Sequence, residues 1–182
     1  MRSAAKFILG SVLGALLWFY ATPAYEEFLC RAVTPLLHAD YRLPGTIAER
    51  DNRKVLVRSV TNLSFPNIQI PADELTYNVI LFAGLLAMRR GSMPRTALAV
   101  LGFIATHVIA LLLSIEATYS GRMGAWSNRH YGGHEQDFWT AAEYLYRLAG
   151  MFAIAFAAWW LSVGNDLMPL PRPAPGKGSR PD

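Results

Sequence analysis

Two apolar runs, Tyr77–Met88 and Thr96–Ser114, are separated by a short basic connector, Arg89-Arg90-Gly91-Ser92-Met93-Pro94-Arg95. No other stretch limits the possible folds as strongly. It reads as a membrane hairpin with a cytoplasmic tip, because short loops rich in Lys and Arg stay on the cytoplasmic side. Of the 182 residues, 53% are hydrophobic and 16% are charged, whereas roughly a quarter of a soluble domain is charged. The apolar residues gather in long blocks, which suits lipid better than a soluble core. The expected fold class is mainly α: a polytopic membrane helical bundle of about four transmembrane helices, with a small extracytoplasmic β-like insert.

Residues 1–24 form the first expected transmembrane helix. Arg2 and Lys6 precede the uncharged run Phe7–Ala21, which ends in the interfacial aromatics Trp18-Phe19-Tyr20. A cleaved signal peptide is the alternative, but Pro23 makes Thr22-Pro23-Ala24 a poor cleavage context, so a retained span is expected. In residues 25–37, Tyr25, Phe28, Leu29, Ala32, Val33, Leu36 and Leu37 share one helical face. Glu26, Glu27, Cys30, Arg31 and Thr34 take the other, which predicts an interfacial amphipathic helix after a kink at Pro23.

Residues 38–73 are polar and carry short β-like runs. Thr46–Arg50 and Arg53–Val57 flank Asp51-Asn52, a plausible hairpin turn that would set Glu49 opposite Lys54. Asn67-Ile68-Gln69-Ile70 supplies a third strand. So short an insert buries little core alone and must rest on the preceding helix, the membrane surface or a partner.

Residues 74–163 are expected to hold three membrane helices around an outer loop, 120–138. Leu75–Met88 is short for a span, roughly 21 Å of helix, and a re-entrant helix competes with a crossing one. Arg95–Thr118 is a full-length span, and Trp139–Val163 is the last. Residues 164–182 read as a disordered cytoplasmic tail rich in Pro and Gly. Arg2, Lys6, Arg89, Arg90, Arg95, Arg172, Lys177 and Arg180 would then all flank the cytoplasmic side. Both termini would be cytoplasmic, in a bacterial inner membrane, with residues 25–73 and 120–138 outside.

Ionisable residues within membrane helices are costly and so become site candidates. Glu116 lies near the outer end of the third span, and Glu143 and Arg147 lie one turn apart on the fourth. With His107 they form the candidate polar cluster. It would bind a head group or a partner's charge, or fix helix register as a buried ion pair. His107 has no second titratable group at its depth, and Thr106, Ser11 or Asn78 would hydrogen-bond it structurally. His130 and His134 are the outer-loop candidates. With Glu135 they suggest a metal, but Gly132-Gly133 opposes the helix that would bring two histidines to one face. No metal and no cofactor is expected. The single Cys30 excludes an intrachain disulfide and a Cys-cluster metal site. The net charge of +4 reflects span flanks, without a basic tract interleaved with aromatics, so no nucleic-acid partner is expected.

Cys30, Arg89 or Arg90, and His107 follow the Cys-Arg-His order of exosortases, membrane transpeptidases that process C-terminal sorting signals. The expected topology sets these residues at three depths, and Cys30 lacks the glycine-bearing motif of that family. The wider layout resembles small membrane proteins associated with exosortase H. The span Lys6–Tyr20, the β-like stretch Thr46–Ile70 and the hairpin Tyr77-Asn78-Val79-Ile80-Leu81 through Met88-Arg89-Arg90 carry the likeness, followed by Thr96–Tyr119. It covers the first 120 residues or so and rests on layout. The resemblance implies an accessory in envelope protein sorting with no established chemistry. The expectation is a non-enzymatic integral membrane protein that docks a membrane partner, an exosortase by this resemblance. Alternatives are a membrane enzyme acting on a lipid-linked or membrane-anchored substrate at the outer face, and a small transporter subunit.

Overall fold

The computed structural model describes residues 2–62, 64–88 and 92–167; the side chains of residues 2 and 165–167 are left aside. Arg89, Arg90 and residues 168–182 of the tail expected to be disordered lie outside the described residues, whereas residues 164–167 of that tail continue the last helix. The chain is mainly helical with one small sheet. Helix α1 (Arg2–Ala39) leads to strands β1 (Thr46–Asp51), β2 (Lys54–Ser59) and β3 (Ile68–Ile70). Helices α2 (Asp73–Thr76), α3 (Asn78–Met88), α4 (Met93–Gly121) and α5 (Ala125–His130) follow. Helix α6 (Gly133–Leu145) continues through a π-helical turn (Tyr146–Gly150) into α7 (Met151–Leu167). By length and apolar composition, three helices can cross a membrane: Ser3–Ala39, Met93–Gly121 and Gly133–Gly164. Helix α3, with 11 residues, is not among them.

The first span and the interfacial helix are a single helix. Pro23 and Pro35 both lie inside α1, so the helix runs on past the expected kink position at Pro23. Proline removes one backbone hydrogen bond from a helix. Here the continuation beyond it lays Leu29, Cys30, Val33 and Leu37, all at most 2% exposed, against the sheet and α4. That buried face is turned by about one residue from the predicted one. Glu26 and Cys30 are inside, whereas Phe28 and Leu36 are 48% and 43% exposed. The hydrophobic count along the helix pointed the other way because two of its apolar residues do not enter this core.

The sheet order is β1-β2-β3, antiparallel throughout. Its turn falls one residue later than expected, which shifts the cross-strand pairing by two: Asp51 pairs with Lys54, and Glu49 lies opposite Leu56 instead of Lys54. The turn is Asn52-Arg53, and Asn52 takes φ 57°, a left-handed conformation that asparagine tolerates better than most residues. The observed register puts Ala48, Val55, Val57, Ile68 and Ile70 together in the core. Thr34 Oγ1 on α1 accepts the Ala48 N–H at 3.2 Å, so α1 covers part of the outer edge of β1.

Helix α3 returns antiparallel along the start of α1. Gly10 faces Ala87 and Gly14 faces Ala83, while Gly84 sits over Phe7 and Ser11. The spacing Gly10–Gly14 is that of small residues that let two membrane helices approach closely. Helix α7 packs on both α3 and α4, and α4 packs on α1. Phe82, Ala99, Phe103, Ala155 and Ala158 fill the space between α3, α4 and α7. Pro94 at the start of α4 stands where a helix needs no N–H donor. The stretch 120–138, expected as an outer loop, is largely helical. It contains α5 and the first residues of α6, whose first turn holds Glu135 accepting the Gly132 N–H at 3.0 Å.

Candidate functional site

The expected cluster of Glu116, Glu143, Arg147 and His107 separates into three polar groups, each with its own partners. His107 is fully buried on α4. Its Nδ1 lies 2.7 Å from Tyr25 Oη on α1, and its Nε2 lies 2.8 Å from Asn78 Oδ1 on α3. Asn78 Nδ2 donates to the Met151 carbonyl at 3.2 Å. That last bond requires the amide nitrogen to face Met151, so Oδ1 faces the histidine and accepts. His107 therefore donates from Nε2, and Nδ1 accepts from the Tyr25 hydroxyl. One neutral tautomer satisfies every member of a chain that ties α1, α4, α3 and α7 together. Asn78 is among the structural partners the sequence offers for His107; Tyr25, distant in sequence by 82 positions, leaves no local signal.

Glu143, 1% exposed on α6, accepts from Arg147 Nε at 3.1 Å and from Arg122 Nη2. Arg147 also reaches Glu74 with Nη1 at 3.0 Å. The i,i+4 pair was legible from spacing alone. Arg122, just past the end of α4, and Glu74 on α2 join it only through the fold.

Glu116 takes no part in that network. It is 3% exposed, and the Tyr131 hydroxyl donates to its Oε2 at 2.9 Å. The Arg42 guanidinium lies over the Tyr131 ring, 4.4 Å from its centroid. Arg42 pairs with Asp40 at 2.9 Å and reaches Glu135 on α6 at 3.1 Å. Burial, together with the neighbouring Glu116 charge, pushes the Tyr131 phenol far above its ordinary range, so it remains a donor. Burial would raise the Asp40 carboxyl, but hydrogen bonds from the Arg42 side chain and backbone outweigh it and hold the group below its usual value. Asp40 and Arg42 stand in the turn directly after α1, and the polar composition of that stretch concealed their role.

The two histidines of the expected loop sit on different helices. His130 ends α5, stacks on Trp126 with ring centroids 4.2 Å apart, and its Nδ1 lies 2.8 Å from the Trp126 carbonyl. His134 is exposed on α6. Among the described residues, no group of three or more His, Cys, Asp or Glu side chains has metal-holding geometry. Cys30 is 2% exposed in the core between α1 and the sheet, not on a polar helix face. Tyr25, the α1 residue that meets His107, precedes it on the same helix by about 7.5 Å of rise, and Arg89 and Arg90 are outside the described residues. No protein-family model matches the chain, and no curated protein or solved structure shows a significant similarity to it.

Proposed function

We propose that the protein is a non-enzymatic membrane accessory, a braced scaffold that holds its sheet-bearing end in a fixed pose for a membrane protein partner. The observation that carries this reading is the use of its buried ionisable groups. Glu116, Glu143 and His107 each bridge separate elements and are engaged by hydrogen-bond partners within the chain. Such ties favour rigidity over a reactive centre, since a catalytic acid or base must meet its substrate within hydrogen-bond reach. An enzyme using Glu116, Glu143, Arg147 and His130 or His134 is less well supported, because these residues have no partner in common beyond the Glu143–Arg147 pair.

In this reading α3 completes a fourth, shorter pass, antiparallel to α1 along the Gly10–Gly14 stripe. Both termini lie on the cytoplasmic side with Arg2, Lys6 and Arg95, and residues 38–73 face outward in an inner membrane. The layout-based resemblance makes an exosortase-type sorting peptidase the partner of choice. Photo-crosslinkers at Tyr41 and Val60, 84% and 54% exposed, followed by purification in mild detergent, test it. A discrete crosslinked envelope protein is expected. A lone monomer from both positions would overturn the docking role, and a cytosol-only reporter active within residues 38–73 would overturn the orientation.

A further inference from the structure

Where α1 passes from its apolar run into the sheet-bearing end, it lines a cleft of about 320 Å³ with Trp18, Phe19, Tyr20, Thr22, Pro23 and Glu26. Arg50 and Arg53 from the β1–β2 hairpin and Asp73 at the start of α2 complete the walls. Tryptophan and tyrosine at the end of an apolar helix mark the head-group level of a bilayer. The walls carry charges of both signs, two carboxylates and two guanidiniums, and those of Arg50, Asp73 and Arg53 all act on Glu26.

Glu26 is 1% exposed, and only half of its carboxylate is satisfied. Its Oε2 accepts from Arg50 Nε at 3.0 Å, whereas its buried Oε1 has no donor. A buried carboxylate oxygen without a donor is costly and calls for an N–H or O–H group. Arg53 makes no ion pair among the described residues, and Arg50 commits only Nε to Glu26. Guanidiniums are the preferred ligands of phosphate. The cleft thus offers an unsatisfied carboxylate oxygen for a cationic donor and uncommitted guanidinium N–H groups for an anion, beside aromatic faces suited to an ammonium group.

We propose that this cleft binds the phosphoethanolamine head group of a membrane lipid, with the phosphate on Arg53 and Arg50 and the primary ammonium on Glu26 Oε1 and Asp73. A choline head group has no N–H to give Glu26, and a glycerol head group can give a hydroxyl but has no cation to pair with the two carboxylates. The site therefore distinguishes head groups by their ammonium hydrogens and not by net charge. It is independent of which partner the protein docks.

The test is native mass spectrometry of the full-length, delipidated protein titrated with short-chain phosphatidylethanolamine, phosphatidylcholine or phosphatidylglycerol, and separately with free phosphoethanolamine. Phosphatidylethanolamine is expected to bind at least about fivefold more tightly than either other lipid, a difference of about 1 kcal/mol. R53Q should weaken all phospholipids about tenfold. E26Q should abolish the preference for ethanolamine over glycerol, and D73N should narrow it. E26Q alters a buried ion pair and is not guaranteed to fold, but R53Q and D73N change side chains outside the core and carry the test alone. Equal binding of the three lipids, a preference for phosphatidylglycerol, or indifference to both R53Q and D73N would overturn the proposal. Tighter binding of free phosphoethanolamine than of its lipid would overturn the lipid source.

Discussion

His107 Nε2 and Asn78 Oδ1 lie 2.8 Å apart, joining α4 to α3 inside the apolar end of the protein. Helices in lipid gain little from hydrophobic contact with one another, so packing and such polar ties decide which helices meet. Asn78→Ala removes both this acceptor and the donor to Met151, and is expected to destabilise the protein by about 1–3 kcal/mol. Tyr25→Phe leaves Nδ1 without a donor at the other end of the chain, and should cost about 1 kcal/mol. Denaturant unfolding in mixed micelles measures both. A negligible loss in Asn78→Ala would show that the chain of hydrogen bonds does not hold the helices together.

The α1–α3 contact depends on absent side chains. A Cβ at Gly14 would stand 2.6 Å from Ala83 Cβ, whereas one at Gly102 on α4 meets nothing within 4 Å. Gly14→Val should lower stability by about 1–3 kcal/mol through overpacking. Gly102→Ala should raise it by up to about 1 kcal/mol, because glycine is a poor helix former. The paired thermal melts check this, and equal melting temperatures for the two variants would count against close packing.

Glu143 and Arg147 are unequal partners despite forming one ion pair. Glu143 is 1% exposed and serves two arginines, while the Arg147 side chain is 29% exposed and has Glu74 as a second acceptor. Glu143→Ala should therefore be the more damaging change, about 1–3 kcal/mol. Arg147→Ala should cost about 1 kcal/mol or less, since the partly exposed ion pair is screened and Arg122 still holds the carboxylate. The reverse order in urea titrations would reject this assignment of roles.

Asp40 supplies the pH dependence. Its folded value lies below the ordinary one because Arg42 outweighs the effect of burial. Its stabilisation is accordingly complete above the unfolded carboxylate value near about 4, and is lost as pH falls through the lowered folded value. Asp40→Asn should melt at a lower temperature than the parent at pH 7, and the two should converge as the buffer is taken below about pH 4. Parallel melting curves from pH 7 down to pH 3 would contradict a stabilising Asp40–Arg42 pair.

Legibility in the sequence followed the range of the interaction. The Glu143–Arg147 pair follows from spacing on one helix, and Ile68–Ile70 shows its strand by alternation. The hairpin was visible, but its register turned on where the two turn residues fall, and they are Asn52-Arg53, with Asn52 in the left-handed conformation, instead of Asp51-Asn52. The separation of Glu116 from Glu143 could not be read, although both lie near the same ends of their helices. Depth is a property of one helix, whereas rotation about its axis is chosen by what packs against it. Glu116 turns toward Tyr131, and Glu143 toward Arg122.

Taken alone, the sequence determined the mainly helical class, the long apolar helices and the three-stranded insert, because periodicity and apolar length are local properties of the chain. Only the tertiary structure decided that α1 runs on past Pro23, that Glu26 and Cys30 face inward, and that His107 is held by Tyr25 and Asn78. Those outcomes depend on which surfaces the sheet and neighbouring helices bury together, and no single segment carries that information.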